Sequence, residues 1–220
     1  PSNTLPNYVR HIWNSGAVLQ MVAFGIGWGG AFAIRKAIVQ NLDLQEKWCR
    51  ALVEDTLASN EVLLDGKRIA FVAECTTANP ETTSLKWCLS FVTRQLQGLR
   101  YYHRAWRTVL WFGLFSGCVL LVNLSLILYG LLFDDLLCAA LCGGGVVTFG
   151  VVIGWLMHRS ERCVNAFIGD RAVGDYSLPL MLILAAPMTQ LIHLIALVRA
   201  CALRCVTWRG IRYQIHSGLN

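Results

Sequence analysis

Between Thr108 and Met157 the chain carries only two charges, Asp134 and Asp135, and they stand side by side. The stretches flanking that pair, 110–133 (LWFGLFSGCVLLVNLSLILYGLLF) and 136–157 (LLCAALCGGGVVTFGVVIGWLM), are uncharged. At about 1.5 Å per helical residue each covers a hydrocarbon core of roughly 30 Å. Two such stretches imply an integral, multi-pass membrane protein, with the Asp pair as the tight turn between spans. Gly143, Gly144 and Gly145 would weaken a soluble helix; in a bilayer they permit close approach of a neighbouring helix.

A third apolar segment, 178–198, holds Pro187, Gln190 and His193. Arg94, Arg100, Arg104 and Arg107 precede the first span, and His158, Arg159, Arg162 and Arg171 follow the second. Basic residues near membrane segments stay on the cytosolic side. An out-and-back pair of spans therefore puts both clusters in the cytosol, together with the polar half. A third full crossing would leave Arg199, Arg204, Arg209 and Arg212 on the far side. A broken, re-entrant or interfacial hairpin turning near Pro187 is thus expected, with a third crossing helix as the alternative.

The remainder is of a different kind. The whole chain is 55% hydrophobic and 15% charged, against about 25% charged in soluble domains, but residues 1–107 have the charge density of an ordinary globular domain. The net charge of +6 comes with Arg residues that flank apolar spans. Topology and anionic headgroups explain these residues better than nucleic acid does. The nine cysteines form no paired CxxC motifs, so reduced thiols are expected rather than a zinc site.

The polar half reads as mixed α/β. Residues 18–28 are apolar, Gly-punctuated and too irregular to span a bilayer. Residues 29–41 resemble a strand (AFAI) turning into a helix, and 44–64 have helical periodicity. Asp65-Gly66 is a turn, 68–73 (RIAFVA) alternates like a strand, and 76–80 is a loop. Thr83 or Ser84 could cap a helix over 85–102.

Four pieces stand in order along this half: Trp28-Gly29-Gly30-Ala31 with Ile34-Arg35-Lys36; Glu54-Asp55; 66–72 followed by Glu81; and Gln97-Gly98-Leu99-Arg100-Tyr101. Near the C-terminus come Asp175-Tyr176, then Trp208-Arg209-Gly210 with Tyr213. The ordered set resembles the C-terminal half of a membrane-bound family 2 glycosyltransferase of the ceramide-glucosyltransferase-like type. The resemblance implies a partial GT-A α/β domain (the acceptor half) over 1–107, followed by a membrane region over 108–220. It further implies inverting transfer of a sugar from a nucleoside-diphosphate sugar to a membrane lipid.

In that frame Asp55, beside Glu54, is the candidate general base that takes the acceptor hydroxyl's proton. By its residues alone the pair reads rather as a solvated acidic pair on an amphipathic helix, and it is the motif order that reverses this. Gln97, Arg100 and Tyr101 share one helix face; Arg100 could pair with diphosphate oxygens through its planar fork, and Tyr101 stands where the family has Trp. A juxtamembrane Arg/Tyr belt is the competing reading. Trp28, Gly29 and Gly30 could bring backbone close to substrate, or form a bulged, buried strand. Arg35 and Lys36 read as solvated, His103 and His158 as interfacial, His193 as hydrogen-bonded to a neighbouring helix, and Trp208 as an interfacial anchor.

No Asp-x-Asp motif precedes Asp55. The divalent metal (Mg or Mn) that the resemblance implies would be bound by a donor half not present in this chain, which starts at Pro1 rather than Met; alone, the chain is expected to be inactive. A polysaccharide synthase of the same broad family and a non-enzymatic membrane scaffold are the alternatives.

Overall fold

The computed structural model describes residues 4–72, 82–168, 179–208 and 211–215. The expected loop at 76–80, Glu81, Arg171, Asp175-Tyr176 and Arg209-Gly210 lie outside the described residues. Helix α1 (Leu5–Phe24) carries apolar residues at 5, 8, 9, 12 and 13, a helical stripe that buries Tyr8 and Val9. It ends at Gly25, whose φ of 67° is the left-handed conformation that lets its N–H reach back to the Met21 carbonyl. The expected irregular segment from residue 18 is therefore, up to Phe24, the last part of a regular helix.

A single 3-10 turn (Gly29–Ala31) and three short helices follow: α2 (Lys36–Asn41), α3 (Leu44–Trp48) and α4 (Glu54–Leu64). The expected helix over 44–64 is broken at 49–53, where Val53 is extended, so that Glu54 and Asp55 open α4 instead of lying mid-helix. Carboxylates in a first turn face the positive end of the helix dipole. Helix α5 (Leu85–Tyr102) has the expected bounds, with Ser84 Oγ accepting the Trp87 N–H at 3.2 Å.

Neither strand expected in the polar half forms among the described residues. Phe32 is extended, and 68–72 has no regular structure. A strand is stable only when its N–H and C=O groups pair with a neighbour, and none lies beside these segments. The one sheet described is a hairpin near the C-terminus, β1 (Cys205–Trp208) with β2 (Ile211–Gln214), pairing Val206 with Tyr213. Among the described residues no GT-A α/β domain is shown; the polar half there is helical and irregular.

Among the described residues three helices are long and apolar enough to cross a membrane: α6 (Trp106–Leu132), the Leu136–Arg159 part of α7 (Leu136–Ile168), and Leu180–Ala202 within α8 (Pro179–Ala202). Between α6 and α7, Asp134 takes φ 56° and Asp135 Oδ1 accepts the Cys138 N–H, the tight turn expected. The helices approach at Gly113 and Gly117 of α6, where an added Cβ would meet Leu197 and Leu194, and at Gly150 of α7. The expected contact glycines, Gly143 and Gly144, face open space, and Gly145 meets only Asn123 at 3.8 Å.

Helix α8 is continuous, so the hairpin expected at Pro187 does not form. Proline inside a helix deprives the carbonyl four residues earlier, that of Ile183, of its donor. Gly150 lies against that carbonyl, and packing by neighbouring helices is what makes such a proline tolerable. The charge arrangement behind the expectation nevertheless holds. Gln190 Nε2 donates to Ser116 Oγ, Leu194 packs at Gly117 and Leu197 at Gly113, so α8 crosses the first turns of α6. Arg100 and Tyr101, which hold the carbonyls of Ala200, Cys201 and Leu203, bring exposed Arg199 and Arg204 to the end of the bundle where Arg104 and Arg107 lie.

The core forms around α8. Its row of Ala185, Ile192, Ala196 and Ala200 packs with Val92, Leu96 and Leu99 of α5, Tyr8 and Val9 of α1, and Val109 of α6. Small residues let the backbones approach. The apolar window of α8 is 39% buried, against 17% for α6 and 6% for α7. The outer faces of α6 and α7 expose Trp111, Phe115, Leu132, Leu137, Leu141 and Trp155, an apolar surface far beyond what a water-soluble monomer presents.

Candidate functional site

The 49–53 break delivers the acid pair to the head of α4. Asp55 Oδ2 accepts the Gly29 N–H at 2.5 Å, while Oδ1 accepts from the Thr56 N–H at 2.5 Å and Thr56 Oγ1 at 3.1 Å. One turn along the same face, Ser59 Oγ donates to the Asp55 carbonyl and accepts the Gly27 N–H at 2.8 Å. The 27–30 loop is thus bound to the start of α4. It needs its glycines for close approach: a Cβ on Gly27 would lie 2.5 Å from the Phe32 ring, and one on Gly29 would lie 2.9 Å from Asp55 Oδ2. Trp28 is 44% exposed and Glu54 is exposed, so the carboxylate sits in a half-buried notch with an open aromatic and a second acid at its rim.

Burial pushes the Asp55 carboxyl above its ordinary value; hydrogen bonds from Gly29 and Thr56 pull the other way, and the Glu54 charge adds to the rise. A carboxylate that is short of solvent but held by two backbone N–H groups is fixed in direction and more basic than a free one.

The second cluster lies on the last turns of α5. Buried Gln97 donates through Nε2 to the Cys205 carbonyl at 3.2 Å. Arg100 Nη1 donates to the carbonyls of Ala200 at 2.5 Å and Cys201 at 2.6 Å, and Tyr101 Oη donates to the Leu203 carbonyl at 3.3 Å. The guanidinium stands 5.1 Å from the Tyr101 ring centroid. These are carbonyls at and just beyond the end of α8, which no helix N–H satisfies. In the bonds described, the Gln97-Arg100-Tyr101 face caps α8 and docks the hairpin.

A neighbouring side of α5 turns to the segment that leads into the acid pair. Val53 packs against Gly98, and the Leu52 N–H donates to Tyr102 Oη at 3.1 Å. Trp28, Gly29, Gly30, Glu54 and Asp55 are therefore brought together. Gln97, Arg100 and Tyr101 are together with one another, and reach the acids only through α5 and the 52–53 segment. Thr56, Ser59, Gly27 and Tyr102 belong to the site without having been singled out in the sequence, and Gly98 stood in the quoted motif with no role of its own. The Asp55–Ser59 spacing of four was a readable signal; Tyr102, hidden behind the more suggestive Tyr101, carried none.

Among the other residues weighed, Arg35 and Lys36 are exposed as expected, and His193 Nδ1 accepts from Trp13 Nε1 at 3.2 Å. His103 is buried at 5% exposure, its Nδ1 accepting the Ala105 N–H, and burial lowers its pKa. Among the described residues no three His, Cys, Asp or Glu side chains are grouped so as to hold a metal ion. The Mg or Mn ion expected with the donor half has no ligand set among these described residues.

The structure thus joins bilayer-length apolar helices to a polar part that holds a constrained, half-buried carboxylate. The chain belongs to glycosyl transferase family 21, whose model matches residues 11–220. No curated protein and no solved structure matches the chain. The glycosyltransferase class expected from the motif order is thereby shown, with 21 rather than 2 as the family.

Proposed function

We propose that this chain is the acceptor-side and membrane half of an inverting lipid glycosyltransferase of the ceramide-glucosyltransferase-like type. The observation that carries the reading is the Asp55 carboxylate, fixed at the head of α4 by Gly29 and Thr56 and made more basic by burial. Asp55 accepts the proton of a lipid hydroxyl as that oxygen bonds to the anomeric carbon. The bond from that carbon to the nucleoside diphosphate breaks on the opposite face, and the diphosphate leaves with the electron pair, inverting the centre. Trp28 and the glycine backbone at 29 and 30 form the wall against which the sugar lies. Arg100 keeps Nε and Nη2 for a diphosphate oxygen while Nη1 holds α8, a division that its planar fork allows.

The nucleotide, and the metal that would neutralise its phosphates, are assigned to a donor-binding part not in this chain. The unpaired, extended Phe32 segment and exposed Phe71 and Val72 fit edges on which such a part would build. The membrane lipid arrives from the bilayer around α6 and α7, with the polar half on the cytosolic side. The packed interior around α8 favours one sugar per lipid over a polymer channel.

The test is Asp55→Asn in the intact protein in membranes, with nucleoside-diphosphate sugars and lipid acceptors supplied. A general base contributes about 10²–10⁴-fold, and a loss of that order in turnover is expected. Unchanged turnover would remove Asp55 from the chemistry.

A further inference from the structure

The last two turns of α5 work on two fronts. Gln97, Arg100 and Tyr101 grip carbonyls at and beyond the end of α8. Gly98 and Tyr102, four residues apart and so on one side of the helix, hold the 52–53 segment that leads into Glu54 and Asp55. Both holds are specific. Leu52 precedes α4, so its N–H lies outside any helix ladder, and its bond is to the phenol oxygen of Tyr102. A Cβ on Gly98 would come within 3.2 Å of Val53 Cγ2 and force that side chain to give. Trp48 Nε1 closes the same segment from the other side by donating to the Glu54 carbonyl. Only Val53 and Glu54 separate Leu52 from Asp55, so a shift at Leu52 moves the carboxylate.

We propose that Tyr102, backed by Gly98, is a positioning residue that fixes the 52–53 segment, and with it the Asp55 carboxylate, against a helix seated on α8. The inference rests on the reading of Asp55 as general base. It makes the acid's placement depend on how α5 sits on the membrane bundle, although Tyr102 touches no reacting atom.

The experiment uses Tyr102→Phe, which removes one oxygen and keeps the ring, in the intact protein in lipid nanodiscs. Hydrogen exchange at the Leu52 amide is expected to accelerate about tenfold. Misplacing a reacting group by a fraction of an ångström is costly, so kcat should fall about tenfold, with KM for sugar donor and lipid within twofold and the thermal midpoint unchanged. Gly98→Ala should give the same split by pushing Val53. Release of the Leu52 amide with kcat unchanged overturns the proposal, as does an unaffected amide. If the unsubstituted protein itself transfers no sugar, the transferase reading fails instead. Asp55, followed by carboxyl ¹³C NMR, then decides the positioning role: titration moved toward the ordinary carboxylate range in Tyr102→Phe supports it, and an unmoved titration overturns it.

Discussion

Asp55 gains basicity from burial and direction from hydrogen bonds, and the two influences act oppositely on its pKa, with burial the larger. Two consequences have opposite signs. A base at Asp55, as proposed, would work only when ionised, so the acid limb of kcat/KM should lie above the ordinary carboxylate value of 3.8 and be absent from whatever activity Asp55→Asn retains. For stability, a carboxyl with a raised folded-state pKa favours the fold while protonated, and that contribution is lost as pH rises through the folded pKa. This is the reverse of an ion-paired carboxylate. A pH series of kcat/KM alongside thermal midpoints checks both; an acid limb at or below the free-carboxylate position would count against burial as the dominant influence. The residue type and its Glu54 neighbour were readable from the sequence. That Gly29 supplies the bond to Oδ2 was not, because the two lie 26 positions apart and only the fold closes that distance.

Among the elements, α5 was readable to the residue because its cap, periodicity and ending agree. The Asp134-Asp135 turn was equally plain, since adjacent charges between apolar spans have nowhere else to go. Helix α1 was missed although its stripe at 5, 8, 9, 12 and 13 is regular, because Asn7, Arg10 and His11 interrupt the apolar impression. The expected strands failed for lack of partners. Glycine contacts were misjudged for a related reason: a glycine run shows where approach is permitted, not which helix arrives. Gly150→Ala puts a Cβ 2.9 Å from the Ile183 Cα and 3.1 Å from its carbonyl oxygen, backbone atoms that cannot turn aside. It should cost about 1–3 kcal/mol, whereas Gly143→Ala and Gly144→Ala, with nothing within 4 Å, should stay within about 0.5 kcal/mol. Unfolding of the three variants in one detergent makes the comparison; equal losses would refute the α7–α8 contact.

At the scale of the whole molecule, α8 joins the polar helices α1 and α5 to the apolar pair α6 and α7. Its end, held by Arg100 and Tyr101 just before α6, predicts a topology. In oriented vesicles, an impermeant maleimide should label Arg104→Cys and Arg204→Cys from one side and Asp134→Cys from the other, in a background with reactive native cysteines removed. Labelling of residues 104 and 204 from opposite faces would contradict the packing of Gly113 on Leu197. The sequence by itself determined the apolar spans, the turn between them, the helix α5 and the order of the acid, glycine and arginine motifs, because each rests on local composition and spacing. Only the tertiary structure decided that α8 runs unbroken through Pro187, that the Gln97-Arg100-Tyr101 face closes the end of α8, and that Tyr102 holds the approach to Asp55. Those outcomes depend on which distant backbone groups lack partners, and local sequence carries no record of that.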